Sequence, residues 1–161
     1  MPEIVQARSN NDLEVIKTLF LEYQQELGVD LCFQGFEKEL DTLPGEYSLP
    51  NGRLFLIKKK TEVAGCVAFK PVANHCCELK RLYVRRQFRG QNFARLLVTR
   101  LINAAREVGY STMRLDTLSS LVAAISLYQE LGFVASEPTY QQDQLDLTFM
   151  TLDLASKEDK I

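Results

Sequence analysis

Residues 78–117 constrain the fold more than any other part of the chain. Residues 79–84 read as a half-buried strand rich in β-formers, and from Gln91 the apolar residues recur at helical spacing. Phe93, Leu97, Leu101, Ala104 and Val108 fall on one helical face, Gly109 stops the helix over 90–108, and 112–117 reads as a strand again. Strand, helix and strand in this order form a right-handed crossover, so the two strands should run parallel. Between the first strand and the helix lies a basic turn, with Arg85, Arg86 and Arg89 preceding Gly90. The amides of a helix's first turn have no intrahelical acceptor. Backbone donors, helix dipole and arginine charge therefore converge on an anion site, for which a pyrophosphate is the natural guest. Neither common nucleotide fingerprint is present, since the chain has no G-x-x-x-x-G-K-[ST] and the turn lacks the glycines of G-x-G-x-x-G.

The rest of the chain supplies elements to pack around this unit. Residues 3–8 read as a strand, and Ser9 with Asp12 three residues later forms a capping-box start to a helix. Leu13, Ile16, Phe20, Tyr23 and Leu27 make its apolar stripe, and Gly28 ends it. A short second helix is expected over 34–40, then a turn-rich loop over 43–52 with two prolines and two glycines. Residues 53–59 and 62–70 read as a hairpin, and a strand from 75 or 76 to Val84 extends the sheet. Ser119 or Ser120 is expected to cap a helix that buries Ala124 and Leu127 and closes at Gly132. Residues 133–136 and 145–154 give the last strands. The charged segment 156–161 is expected to be a frayed tail beyond a single domain over 1–155.

Composition narrows the function. With 161 residues, 46% of them hydrophobic, the chain suits one compact domain with a sizeable core. A formal charge of -2 and a pI of about 5.5 argue against general nucleic-acid affinity. No run approaches the roughly 18 apolar residues of a membrane helix, and Met1-Pro2-Glu3 opens no secretory signal, so a cytoplasmic protein with no membrane partner is expected. Cys32, Cys66, Cys76 and Cys77 show no C-x-x-C spacing; they read as reduced, mostly buried thiols, and no metal site is expected. His75, the only histidine, reads as a turn residue.

The run Gln87-Phe88-Arg89-Gly90-Gln91-Asn92, following ELKRLYV, resembles the acetyl-CoA-binding signature [Q/R]-x-x-G-x-[G/A] of the GNAT superfamily of N-acetyltransferases. Downstream, AAISLYQELGF resembles the family's helix carrying a tyrosine before L-G-F. The resemblance is strongest over 66–133 and weak before Gly52. Two departures stand out: Asn92 occupies a position usually glycine or alanine, with Ala94 as the next small residue, and Leu121 stands where the family often has asparagine. Asparagine tolerates unusual backbone angles better than most residues.

The resemblance implies a single α/β (α+β) GNAT-like domain. Its central sheet would be mixed, mostly antiparallel and twisted, of about seven strands with a splayed parallel pair, flanked by about four helices. It implies acetyl-CoA as cosubstrate, with the pantetheine arm hydrogen-bonded to the backbone of Leu82, Tyr83 and Val84 like an added strand. The amides of Arg89, Gly90, Gln91, Asn92, Phe93, Ala94 and Arg95 would hold the pyrophosphate, with charge from Arg85, Arg86 and Arg89. Tyr128 matches the family's leaving-group tyrosine. Glu78 is the candidate base, acting through water, with an ion pair to Lys80 or Arg81 as its other reading. The Val84 amide is the candidate oxyanion donor. Tyr23, Phe33, Phe36 and Tyr47 are acceptor-contact candidates by position, each with core packing as the alternative. Glu22, Glu26, Glu37 and Glu46 are candidates to attract a cationic amine. The activity implied is acetyl transfer to a primary amine of a small molecule or peptide by direct attack in a ternary complex. The alternatives are an inactive acyl-CoA-binding regulatory module and a nucleotide-binding α/β domain. Related proteins are often dimers, so a homodimer is a possible assembly.

Overall fold

The computed structural model describes residues 1–31 and 35–155. Phe33, Cys32, the expected start of the second helix and the tail 156–161 lie outside the described residues. The chain forms β1 (Pro2–Gln6), α1 (Asn10–Leu27), α2 (Phe36–Thr42), β2 (Arg53–Lys59), β3 (Glu62–Ala73), β4 (Cys76–Val84), α3 (Phe93–Val108), β5 (Thr112–Leu118), α4 (Val122–Glu130), β6 (Val134–Ala135) and β7 (Leu147–Asp153). Short 3-10 turns occupy Gly45–Tyr47 and Arg86–Phe88. The seven strands make one mixed sheet in the order β1-β2-β3-β4-β5-β7-β6, in which only β4 and β5 are parallel.

Local chemistry accounts for the helix ends. Ser9 accepts from the Asp12 amide while the Asp12 carboxylate accepts from the Ser9 amide, so two otherwise orphaned donors are satisfied at the start of α1. Gly28 and Gly109 end α1 and α3 in the left-handed region. The expected cap at Ser119 or Ser120 is not formed: Leu121 precedes α4 without a side-chain cap, and Ser119 instead bonds Asp146 and Thr148. The helix expected over 90–108 begins at Phe93, because Asn92 is held at φ 68° and ψ 18°.

Both faces of the sheet are covered, so β2 reads as a continuous apolar run rather than an alternation. Phe55 and Ile57 pack with Leu97, Leu101 and Phe133 on the α3 face, and Leu54 and Leu56 pack with Ile16, Leu19 and Phe20 on the α1 face.

The parallel pair is short. β4 and β5 pair only from Cys76 with Thr112 to Glu78 with Arg114, whereas β5 stays paired with β7 from Thr112 to Leu118. Beyond Glu78 the two strands part. The cause lies in β4, where the register with β3 jumps between Cys66 opposite Tyr83 and Ala68 opposite Lys80, and Arg81 takes φ 63°. An extra residue of this kind is a β-bulge, which bends its strand and reverses the facing of side chains beyond it. Gly65 permits the close approach of β3 here, since a Cβ on it would meet Tyr83 O at 2.4 Å.

A buried network holds the bulge. Arg81 Nε and Nη2 donate to Glu39 Oε2 and Oε1 at 3.0 and 2.8 Å, and the side chains are 3% and 15% exposed. Tyr47 donates to Glu39 Oε2 at 2.9 Å, and the Arg81 guanidinium lies 5.1 Å from the centroid of the Phe36 ring. Burial opposes charge on Glu39, but the Arg81 fork outweighs it and holds the carboxyl below its ordinary range.

Candidate active site

The parting of β4 from β5 creates an opening with three adjoining chambers. On the α3 side, an open cleft of about 570 Å³ is walled by Leu82 and Val84 of β4, Ala94 of α3, Val122 and Ala124 of α4, and Leu27 of α1. A narrow passage of about 40 Å³ shares Tyr23, Leu27 and Leu82 with that cleft and is also lined by Lys80, Asp116 and Tyr128. Through Lys80 and Asp116 the passage adjoins a polar cavity of about 410 Å³ that holds Lys70, Glu78, Arg114 and Tyr140.

At the mouth of the cleft, no acceptor is found among the described residues for the amides of residues 90–95. Leu96 is the first whose N–H bonds back, to Asn92 O at 3.0 Å. Gly90 at φ 82° and Asn92 at φ 68° shape the turn. The side chains around it are engaged elsewhere. Gln91 accepts from Lys59, Phe93 is buried beside Phe88, and Arg95 pairs with Glu130.

Two arginines of the turn are tied to α1. Arg85 donates to Glu22 from Nε at 3.0 Å and from Nη2 at 2.9 Å, and Tyr83 donates to the same carboxylate at 3.2 Å. Arg89 reaches Glu26 at 2.7 Å, donates through Nε to Val84 O at 2.8 Å and lies over the Tyr83 ring. Glu22 and Glu26, one helical turn apart, thus neutralise arginines of the turn; they are not free to attract a cationic amine. The Arg85 amide bonds Ala64 O at 2.8 Å, so ladder alternation turns the peptide groups of Val84 away from β3 and toward the opening.

Tyr128 is 4% exposed, packs against Phe133 and lines the passage. Burial, then the nearby Tyr23 phenol and Asp116 carboxylate, push its pKa far above the ordinary phenol range, so it keeps its proton. Glu78 is buried and faces the polar cavity rather than the passage. Its ion-pair partner is neither Lys80 nor Arg81 but Arg114, whose Nε lies 3.5 Å from Glu78 Oε2, because the parallel register sets these residues side by side.

The acceptor-contact candidates separate. Tyr23, edge-on to Tyr83, lines both the cleft and the passage. Tyr47 and Phe36 are sealed into the Arg81–Glu39 network, away from the opening. Two residues at the centre of the opening, Asp116 and Arg114, escape a reading of the sequence. They alternate with the buried Met113, Leu115 and Thr117 along β5, but only the parting of β4 reveals what they face. Cys66 and Cys77 are buried free thiols and Cys76 is half-buried, the first two well above the ordinary thiol range through burial.

The fold and sequence have clear relatives. The model of the acetyltransferase (GNAT) family matches residues 16–133. An uncharacterised N-acetyltransferase of Schizosaccharomyces pombe is 40% identical over 146 residues, covering 89% of this chain and 90% of its own length. Another from Dictyostelium discoideum is 32% identical, covering 88% and 94%. Among solved structures, a GNAT-family acetyltransferase of Staphylococcus aureus superposes with a TM-score of 0.79 at 18% identity over 96% of this chain and 99% of its own. Salmonella typhimurium yncA, solved with its cofactor acetyl-CoA, does so with a TM-score of 0.69 at 23% identity over 95% and 94%. The split sheet, the turn of unpaired amides and these relatives agree: the chain belongs to the GNAT family of N-acetyltransferases.

Proposed function

We propose that the protein transfers the acetyl group of acetyl-CoA to a primary amine of a small molecule or peptide, by direct attack in a ternary complex. The observation that carries this reading is the continuity of the opening. Unpaired amides stand at its mouth and a proton-retaining tyrosine at its narrow end.

The cosubstrate's chemistry fits these walls. A diphosphate matches the donors of residues 90–95 and the dipole of α3. The pantetheine arm suits the mostly apolar cleft, where the Val84 N–H is turned away from β3 while its carbonyl accepts from Arg89. Asn92 sits in the left-handed conformation that glycine adopts freely and asparagine better than other residues, so this departure from the signature is compatible with the turn. Arg85 and Arg89 are already paired with Glu22 and Glu26, so the backbone donors and the helix dipole carry the diphosphate contact.

In the reaction the amine gives a proton to Glu78 through water, and its lone pair attacks the thioester carbonyl carbon. The Val84 amide faces the oxygen that gains charge. The C–S bond then breaks, and the second proton of the attacking nitrogen passes through the Tyr128 hydroxyl to the departing sulfur, so that the amide and the CoA thiol form and the phenol ends unchanged. A raised phenol pKa keeps the hydroxyl protonated and disfavours a free phenolate, which suits a group that relays a proton to the sulfur as it takes one from the nitrogen.

Calorimetric titration with acetyl-CoA, with ATP as control, followed by an assay of amine-dependent CoA release, tests the reading. Saturable binding of acetyl-CoA alone and release with an amine are expected. Binding without turnover across a broad amine panel would instead favour the non-catalytic acyl-CoA-binding module, and absence of binding would remove the proposal.

A further inference from the structure

We propose that the acceptor is a free amino acid, its amine directed toward Asp116 and Glu78 and its carboxylate taken by Arg114 with help from Lys70. The inference rests on the acetyltransferase reading above and concerns the polar cavity on the α1 side of the split.

The cavity carries both signs of charge: Lys70, Lys80 and Arg114 line it together with the carboxylates of Glu78 and Asp116. A polyamine would offer nothing to the guanidinium of Arg114, whereas an amine that carries its own carboxylate offers a partner to each sign. The volume, about 410 Å³, lies at the small end of ligand pockets.

Arg114 is the strongest single observation. Its side chain is 28% exposed, its inaccessible Nε lies 3.5 Å from Glu78 Oε2 as an ion pair without a hydrogen bond, and its Nη groups have no hydrogen-bond partner among the described residues. The two Nη groups of a guanidinium in a cavity wall are suited to a carboxylate, which they can grip through two parallel bonds. Lys70, on β3, pairs with the exposed Glu46 at 3.3 Å, its one ion-pair partner among the described residues, and lines the same cavity.

The opposite wall fits an amine. Asp116 Oδ2 accepts from Tyr140 at 2.9 Å, which orients the carboxylate, and Asp116 lines both the cavity and the passage to Tyr128. An ammonium between Asp116 and Glu78 therefore lies beside the passage. On losing its proton to Glu78, the nitrogen can form its bond to the acetyl carbon as the C–S bond breaks. The carboxylate, pointing to Arg114, remains outside the reaction.

The test is a comparison on the wild-type protein. After calorimetry with acetyl-CoA, CoA release is measured with a panel of L-amino acids, their methyl esters and simple diamines. Removing the charge-assisted contact should lower kcat/KM by about 10- to 100-fold from amino acid to ester. In Arg114→Gln the ratio between amino acid and ester should collapse toward unity, and Lys70→Met should narrow it partially. Acetyl-CoA binding with esters or diamines used as well as amino acids would overturn the acceptor proposal while the acetyltransferase reading stands. An amino-acid preference that survives Arg114→Gln would overturn the role of Arg114. Absence of acetyl-CoA binding would overturn both readings together.

Discussion

β4 presents two unlike surfaces on either side of Arg81. Before it, Glu78 and Lys80 face a charged cavity; after it, Leu82 and Val84 join Leu79 in facing the α3 side and wall a mostly apolar cleft. In an unbroken strand residues 78, 80, 82 and 84 would share one face. One extra residue at the bulge reverses the alternation, so a single strand gives charge to one chamber and an apolar wall to the other. The contrast teaches that the two chemistries are separated by backbone geometry, and that this geometry depends on a buried ion pair.

The largest effect should come from removing that pair. Glu39→Ala leaves Arg81 buried without its carboxylate and should cost about 3–5 kcal/mol, measured by urea unfolding. The same pair predicts a pH dependence. The folded-state pKa of Glu39 is lowered, so its stabilisation is full above the unfolded value and is lost as pH falls through the folded one. The acid-side loss of stability should be shallower in Glu39→Ala. A variant as stable as the wild type would mean that the bulge stands without Glu39.

Next, Tyr128→Phe acts on the passage and not on the cleft. Its kcat should fall about 100-fold while the Kd for acetyl-CoA is unchanged; unaltered turnover would remove Tyr128 as the proton donor. Gly65→Ala attacks the bulge from the β3 side. Its methyl would meet Tyr83 O at 2.4 Å, and a loss of about 1–3 kcal/mol in stability is expected, with weaker acetyl-CoA binding. The smallest effect belongs to Asn92. Asn92→Ala should cost about 1 kcal/mol through its left-handed φ, whereas Asn92→Gly should leave thermal stability nearly unchanged. Equal effects of the two would show that φ is not what the position demands.

The sequence by itself determined most of what rests on neighbours in the chain. The Ser9–Asp12 capping box, the stop at Gly28 and the apolar face of α3 are written in spacings of three and four residues, and each formed. The crossover from β4 to β5 also followed, because a helix between two strands leaves them parallel. The motif around residues 87–92 and the tyrosine helix were legible as a resemblance, and in the fold both border the opening between β4 and β5.

Only the tertiary structure decided how that opening is built. Arg81 and Glu39 lie 42 residues apart, and nothing in the run ELKRLYV marks which residue will take a positive φ. The arginines of the turn read as free charge, yet α1 returns Glu22 and Glu26 to them across more than sixty residues. Glu78 found Arg114 through parallel register, not through its neighbours Lys80 and Arg81. The capping serine expected before α4 turned instead to Thr148 on the last strand and to Asp146 just before it. In each case a polar group had several local partners available, and the choice fell to whichever distant partner the packed sheet brought within hydrogen-bond distance while water was excluded.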